Sequence, residues 1–351
     1  MTNDPVSLGE YAARLFRLGG GDVVPSGRSP YFLAIDEAER AAAESGKRFV
    51  SFANYDYLGL SRHPEVEAAA AEALERFGTG ALASRVVGGE RSIHRELEQG
   101  LADFFGAEAA LVLVSGFLTN AAVVGHYLAA KDCIILDELA HASILAGAKA
   151  GRATVYKFRH NDLDDLERLL KEKRAAHGNC LIAVEGLYSM DGDVPDLPRL
   201  VELKERFGAW LLVDEAHSHG VLGARGRGIA EHFGVDPARI DIVIGTMSKT
   251  FVSCGGFVLA PKAFIDLLRF SLPGFIFSVG MPPMVAAATQ DARRTAEQFA
   301  HDSGASVGSI RSATQGYFEI TARDGDSPGY GASDTPDKRV RVVTTVEYAL
   351  D

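Results

Sequence analysis

Cysteine is scarce: Cys133, Cys180 and Cys254 are the only three in 351 residues. They are too few and too unpaired for a disulfide framework, which points to a reducing compartment. Basic residues are outnumbered as well. The 36 Lys and Arg face 47 Asp and Glu, and the resulting charge of −11 excludes nucleic acid or an anionic membrane surface as a general partner. No window approaches the apolar run that a membrane span needs, and the first 30 residues show no charged leader followed by an apolar stretch of signal-peptide length. A cytoplasmic location is expected. The chain also lacks a phosphate loop of the form G-x-x-x-x-G-K-[ST], since Gly46-Lys47 is followed by Arg48.

What is present is ordinary for a soluble globular enzyme, with 47% hydrophobic and 24% charged residues and enough length for a substantial core. Short, nearly continuous apolar runs at 109–114, 133–136, 153–156, 181–184, 210–213, 241–244 and 256–260 read as strands buried on both faces. Between several of them lie helical patterns, such as 162–176 and 196–207, with leucines at helical spacing and acids near the start. Alternation of this kind predicts an α/β fold with a mostly parallel sheet, whose sites lie at the carboxyl ends of strands.

Two segments carry the chemistry: LLVDEAHSHG at 211–220 and IGTMSKTFVSCGGF at 244–257. A pyridine nitrogen acting as an electron sink needs a carboxylate to stay protonated, and Asp214 at the end of LLVD could supply it. An aldehyde cofactor needs an amine, which Lys249 offers as a Schiff base. A phosphate wants hydroxyls and backbone N–H groups, available at Thr246, Ser248 and the turn at Ser115 and Gly116. Together these describe a pyridoxal 5′-phosphate site. VDEAH also occurs as an acidic box in helicases, but that reading requires the missing phosphate loop. A metal site from Asp214, His217 and His219 lacks a second cluster with ligand spacing, so no metal is expected. A buried strand end with capping residues would fit either segment alone and not both. Cys254, next to the lysine loop, reads as a small packing residue.

Further along the chain, NYDYLGL (54–60), GTGALASRVVGGERSIHRELE (78–98), SGFLTN (115–120), DELAHASI (137–144) and EGLYSMDGDVPDLPRL (185–200) precede these two segments in a fixed order. With these seven motifs the chain resembles the α-oxoamine synthases, a PLP-dependent family, over about residues 30 to 300. The resemblance implies the type I PLP-dependent transferase fold, which is aminotransferase-like. The corresponding division is an N-terminal arm (1–48), a large PLP-binding domain (49–285) and a connecting helix with a shortened or divergent C-terminal domain (286–351).

It also implies roles. Lys249 would carry the cofactor and later remove the α-proton, Asp214 would pair with the ring nitrogen, and His217 and Ser189 would lie at the ring hydroxyl. His141 would stack on the ring. Gly116 and Phe117 would offer N–H groups to the phosphate, with Thr246 and Ser248 adding hydroxyls and Ser278 reaching it from a partner subunit in a homodimer with shared sites. The implied reaction condenses a small α-amino acid with an acyl thioester of coenzyme A or acyl carrier protein, with loss of carbon dioxide, to an α-aminoketone. A local basic patch for a phosphorylated acyl carrier stays compatible with the overall charge. Binding of the thioester would gate deprotonation.

Some residues have plainer readings. His141 could cap the helix that AHASILAGAKA begins, Ser189 could be a turn residue, His94 and Glu96 read as capping or packing groups, and the glycines at 78, 80, 88 and 89 form a loop that answers backbone geometry or moves over substrate. Two departures from the family stand out. Beyond about residue 300 the resemblance fades: YFEITA and RVRVVTTVEY read as strands, 324–337 reads as a loop, and only Arg311, Arg323, Arg339 and Arg341 offer themselves for a substrate carboxylate. Asp56 stands where the family has asparagine, and facing a substrate carboxylate it would repel it unless Asn54 takes over. An aminotransferase or lyase of the same fold, or a non-catalytic subunit, are the alternatives. The first would form a keto acid without thioester, and the second would bind cofactor without turnover.

Overall fold

The computed structural model describes residues 7–18, 54–302, 310–315, 319–322, 338–341 and 344–348. The chain divides into two units, Met1–Asn54 and Tyr55–Asp351. In the first, helix α1 (Leu8–Leu18) starts at a capping box, in which Ser7 Oγ accepts from Glu10 N and the Glu10 carboxylate accepts from Ser7 N. The expected division after residue 285 falls inside the helix Pro283–Asp302.

The second unit is built on seven strands: β1 (Ala109–Leu113), β2 (Cys133–Asp137), β3 (Thr154–Phe158), β4 (Cys180–Glu185), β5 (Trp210–Asp214), β6 (Ile242–Thr246) and β7 (Gly256–Ala260). They are the seven expected from the apolar runs. Their order is β1-β7-β6-β5-β4-β2-β3, with β7 antiparallel to both neighbours and the other pairs parallel. The helices between and around them are α2 (Pro64–Phe77), α3 (Ser92–Phe105), α4 (Gly116–His126), α5 (Ala142–Ala150), α6 (Leu163–Lys173), α7 (Leu197–Phe207), α8 (Ile229–Phe233), α9 (Lys262–Ser271), α10 (Pro273–Ile276) and α11 (Pro283–Asp302).

Alternation along each strand explains why the runs are continuous rather than amphipathic. Ile134 and Leu136 point to one face, where Val123 of α4, Ile144 of α5 and Leu268 of α9 meet them. Cys133 and Ile135 point to the other, against Leu166 and Leu170 of α6 and Leu200 of α7. Farther along that second face, Val112 and Leu259 pack on Leu97 and Leu101 of α3 and Ala286 of α11. Each fully buried aliphatic side chain contributes about 1.5–3 kcal/mol. Strand β3 departs from the expectation of two buried faces. It is an edge strand, with Thr154, Val155 and Lys157 exposed.

Helix ends follow their sequence signals. Asp162 accepts from Asp165 N at the start of α6, and Asp196 accepts from Arg199 N at the start of α7, which ends at Gly208 in the left-handed region (φ 59°). The 78–91 segment is pinned rather than loose. A Cβ on Gly89 would lie 1.9 Å from Ala83 O, so that position admits only glycine. Arg85, 3% exposed, pairs with Glu90 (2.5 Å) and Glu98 (2.6 Å), and Glu98 also takes Arg269 (2.8 Å) and Val112 N (3.0 Å). Such a buried cation persists only because every partner is in place.

Toward the carboxyl end of the chain, β8 (Ile310–Gln315) pairs antiparallel with β11 (Thr344–Tyr348), and β9 (Glu319–Ala322) with β10 (Lys338–Arg341). Sequence periodicity suggested one strand over 339–348 and none at 310–315. The pairings are nested, with 338–341 on β9 and 344–348 on β8. Arg311 lies in β8, and Arg339 and Arg341 in β10, while Arg323 and the whole of the expected 324–337 loop lie outside the described residues.

Candidate active site

Strand register assembles the site. Asp214 and Glu185 are direct neighbours at the carboxyl ends of β5 and β4, and Thr246 ends β6 beside Gly256 of β7, which is itself opposite Leu113 at the end of β1. The turn after β1 therefore delivers Ser115 and Gly116 to Thr246. A cavity of about 270 Å³ opens there, lined by Ser115, Gly116, Phe117, His141, Asp214, His217, Thr246, Ser248 and Lys249 among others. Nine of the predicted site residues meet in it. Ser189, half-buried in the turn after Tyr188, and Ser278, half-buried after α10, do not line it in the single chain.

One end is neutral. Ser115 caps α4 by accepting from Leu118 N (3.3 Å), and the Thr246 hydroxyl contacts Ser248 Oγ (2.8 Å) and donates to Gly255 O (3.1 Å). The approach is close enough that a Cβ on Gly116 would stand 2.7 Å from Thr246 Oγ1, and one on Gly256 would stand 2.7 Å from Gly116 Cα. Hydroxyls and the first-turn N–H groups of an eleven-residue helix make an anion cradle.

The other end is charged. Asp214 is 3% exposed and accepts from Asn120 Nδ2 (2.6 Å) and Ala216 N (3.0 Å). Burial raises its pKa, and those donors with Lys249 work against the rise. Glu185 has fewer donors. Burial and the neighbouring Asp214 push it up to about 8, opposed by the backbone N–H of His141 and by Lys249. Of the two adjacent carboxyls Asp214 is the better supplied with donors to its charged form, and Glu185, held up to about 8, carries its proton at neutral pH.

Lys249 Nζ lies 2.8 Å from His217 Nε2, whose Nδ1 lies 2.7 Å from the Tyr57 hydroxyl. Burial lowers the lysine pKa against the pull of Asp214 and Glu185. Burial and the charges of Lys249 and His141 hold His217 down near about 3, so it is neutral, and burial pushes Tyr57 up to about 12. An ammonium can only donate. Nε2 of His217 then accepts from it, and Nδ1 carries the proton that is donated to Tyr57. The ring of Tyr55 lies beneath Nζ at 5.5 Å.

His141 is exposed at the cavity and caps α5 through Nδ1, 2.6 Å from Ser143 Oγ. Its ring stands edge-on to Phe117 at 6.5 Å. Capping and cavity-lining thus coexist in one side chain. His94 follows its plainer reading: Nδ1 accepts from Arg91 N at the start of α3 and Nε2 meets Met281 O at 2.7 Å. His219 is packed in the core, stacked on Phe251 at 5.0 Å, away from Asp214 and His217.

Two readings need correction. Asp56 turns its carboxylate onto Leu60 N (2.8 Å) and Ser61 N (3.1 Å), so it serves its own turn and does not line the cavity. Cys254 is exposed and lines the cavity instead of packing in the core. Asn120, Ser143, Glu185, Tyr55 and Tyr57 belong to the site without having been assigned a role. For Glu185 the signal was legible, since LIAVE ends an apolar run in an acid just as LLVD does.

Comparison with known proteins gives the family of the chain. The model of the family described as aminotransferase class I and II matches residues 47–312. The 8-amino-7-oxononanoate synthase of Symbiobacterium thermophilum is 43% identical over 253 residues, covering 72% of this chain and 64% of that protein. That of Geobacter sulfurreducens is 44% identical over 265 residues, covering 76% and 67%. The chain thus spans about two thirds of the length of these curated relatives. Among solved structures, the serine palmitoyltransferase of Sphingomonas wittichii is 34% identical with a TM-score of 0.77, over 85% of this chain and 74% of that one. The 8-amino-7-oxononanoate synthase of Francisella tularensis is 27% identical with a TM-score of 0.61, over 70% and 68%. With its seven-stranded sheet and a lysine, a buried carboxylate and an anion cradle in one cavity, the chain belongs to the aminotransferase class I and II family and, within it, to the α-oxoamine synthases.

Proposed function

We propose that this chain is a PLP-dependent α-oxoamine synthase, which joins a small α-amino acid to an acyl thioester and releases carbon dioxide, leaving an α-aminoketone. One observation carries the reading: a half-buried lysine shares a cavity with a buried, hydrogen-bonded carboxylate and, toward the other end, with a cradle of hydroxyls and helix N–H groups. That donor set fits pyridoxal phosphate, and the closeness of Gly116 to Thr246 leaves room for a phosphate that a side chain would fill. When bound, the cofactor supplies a carbonyl for the amine and a sink for the negative charge that develops beside it.

The chain's own residues do the rest. Asp214 supplies the buried negative charge that keeps a ring nitrogen protonated. Ser115, Thr246 and Ser248, with the N–H groups of Gly116 and Phe117, bind the phosphate, and His141 offers a ring face at the cavity. Lys249 moves the α-proton, a role suited to an amine whose pKa is lowered by burial. His217, neutral and in contact with Nζ, hands protons between Lys249 and Tyr57. Ser189 would join the ring-hydroxyl side once the cofactor is in place.

The named relatives suggest the substrates. An 8-amino-7-oxononanoate skeleton, cut at the bond a decarboxylating condensation would make, yields the two carbons and nitrogen left from alanine and a seven-carbon dicarboxylic acyl group. We assign alanine and that acyl thioester to this chain. A homodimer fits the surface: Leu82, Val87, Phe277 and Val279 are exposed apolar side chains on two segments joined by Gly280 N donating to Ala83 O (2.9 Å). A second copy covering this patch would meet Ser278, in keeping with a hydroxyl delivered across the interface. Free thiols at Cys133 and Cys180 suit a cytoplasmic setting, and among the described residues no helix is long and apolar enough to cross a membrane.

The test is a visible absorption titration of purified protein with alanine, serine and glycine, followed by a long dicarboxylic and a palmitoyl thioester, with carbon dioxide release measured in parallel. A cofactor band answered by alanine, with gas release on adding the dicarboxylic thioester, is expected. Response to serine and palmitoyl thioester alone would reassign the substrates. Bound cofactor with no turnover of any pair would place the chain among non-catalytic members.

A further inference from the structure

His160 has no part in the chemistry above and lies just past β3, outside the cavity lining. Its Nδ1 is 2.9 Å from Asp137 Oδ1, and its Nε2 is 3.0 Å from Asp193 Oδ2. Those two carboxylates belong to different segments that lead into the site. Asp137 ends β2 and opens the turn to His141, where its carboxylate also accepts from Leu139 N (2.9 Å) and Asn161 N (2.9 Å). Asp193 closes the turn that begins at Tyr188, whose N–H donates to Asp193 O (3.0 Å), on the segment that starts at Glu185. The ring of Tyr188 stands edge-on to His160 at 4.5 Å, and Asn161, held at φ 51°, donates to Asp193 as well.

We propose that His160 is a positioning residue, a protonated latch that ties the β2–α5 turn to the β4–α7 segment and so holds His141 and Glu185 in the cavity, releasing both when it loses its proton. Only a doubly protonated imidazole can donate to both carboxylates; a neutral ring must aim one lone pair at a carboxylate oxygen. The groups that face it are Asp137 from β2, Glu138 from the following turn (its carboxylate accepts His160 N, 3.1 Å), and Asp193 and Tyr188 from the β4–α7 segment. On its own segment Arg159 is turned away onto Asp162. Burial works against the proton, but Asp137 and Asp193 outweigh it and raise the pKa above the usual 6.5. A raised folded pKa means that the latch is closed below about 6.5 and is lost as pH rises through the folded value.

The effect on cofactor retention rests on the function proposed above; the latch itself does not. Ring resonances of His160, assigned by comparison with His160→Gln, should titrate with a midpoint above 6.5, and Asp193→Asn should lower it. Amide exchange in segments 137–144 and 185–196 should lose protection through that same midpoint in the native chain. The opening constant should change by about tenfold for each unit separating folded and unfolded pKa values. In His160→Gln, protection should be low and should lack the step at the His160 midpoint. Pyridoxal phosphate should dissociate more readily above the midpoint in the native chain, and His160→Gln should lack that step. A midpoint at or below 6.5, or the same pH dependence of exchange in both proteins, would overturn the latch. If His160→Gln does not fold, Asp193→Asn carries both readouts. A native chain that never takes up cofactor yet shows the titration and exchange behaviour would sink the proposed function and leave the latch standing.

Discussion

The two ends of the cavity are made of different materials. Around Ser115, Gly116, Thr246 and Ser248 the polar groups are neutral, their hydroxyls bond to one another, and shape is set by glycines pressed against side chains and backbone. Around Asp214, Glu185, His217 and Lys249 almost every group is displaced from its ordinary protonation behaviour by burial and by the others. A cradle for a dianion needs only dipoles and space, because the ligand brings the charge. An end that must manage protons needs groups whose environments pull their affinities apart. Substitutions at the two ends should therefore fail in different ways.

The largest effect is expected from Lys249→Ala. Loss of turnover should exceed about 10⁴-fold, the upper range for a positioned acid–base group, with the visible cofactor band changed even before substrate is added. Retention of more than a hundredth of the native kcat would move the chemistry to another group. Glu185→Gln comes next and is read in stability rather than rate. Native Glu185 keeps its proton when folded up to about pH 8 and gives it up near 4.5 when unfolded, so the native apo chain should lose stability as pH climbs through that window. Glutamine has nothing to lose. The advantage of the variant should grow to the order of 2–4 kcal/mol by pH 8 and then level off, as urea unfolding at a series of pH values would register. Parallel stability curves would show that Glu185 does not hold the proton.

At the neutral end the penalties should be smaller and nearly independent of pH. Gly116→Ala places a Cβ 2.7 Å from Thr246 Oγ1, and cofactor affinity should fall by roughly tenfold, about 1.4 kcal/mol, with little change in kcat at saturation. Equilibrium titration with pyridoxal phosphate measures it, and unchanged affinity would mean that the cradle relaxes freely. Ser248→Ala is the mildest. An exposed hydroxyl with one short partner is worth about 0.5–1.5 kcal/mol, so a shift in affinity of several-fold at most is expected from the same titration.

Much of this was legible in the chain. The continuous apolar runs named all seven strands of the sheet, because strands covered on both faces have no polar side to show, and only the edge strand β3 broke the rule. Acids closing such runs marked Asp214, and the same sign at Glu185 went unread. Asp56 misled for the opposite reason. Its neighbourhood in sequence suggested a substrate contact, whereas a free carboxylate two bonds from the backbone satisfies its own turn first. The nested hairpins at the carboxyl end were hidden because pairing partners lie far apart in the chain and periodicity reports only the strand, not its mate.

The sequence by itself determined the alternation of strands and helices, the lysine and acid that define the chemistry, and the hydroxyls and glycines of the cradle, since each follows from residue type and local spacing. Only the tertiary structure decided that buried Glu185 is pushed toward keeping its proton, that His217 is neutral, that Tyr57 completes its hydrogen-bonding chain, and that His160 meets Asp137 and Asp193 at once. Those properties arise from burial and from charges brought together across strand register and loop contacts, and no reading of neighbours along the chain contains them.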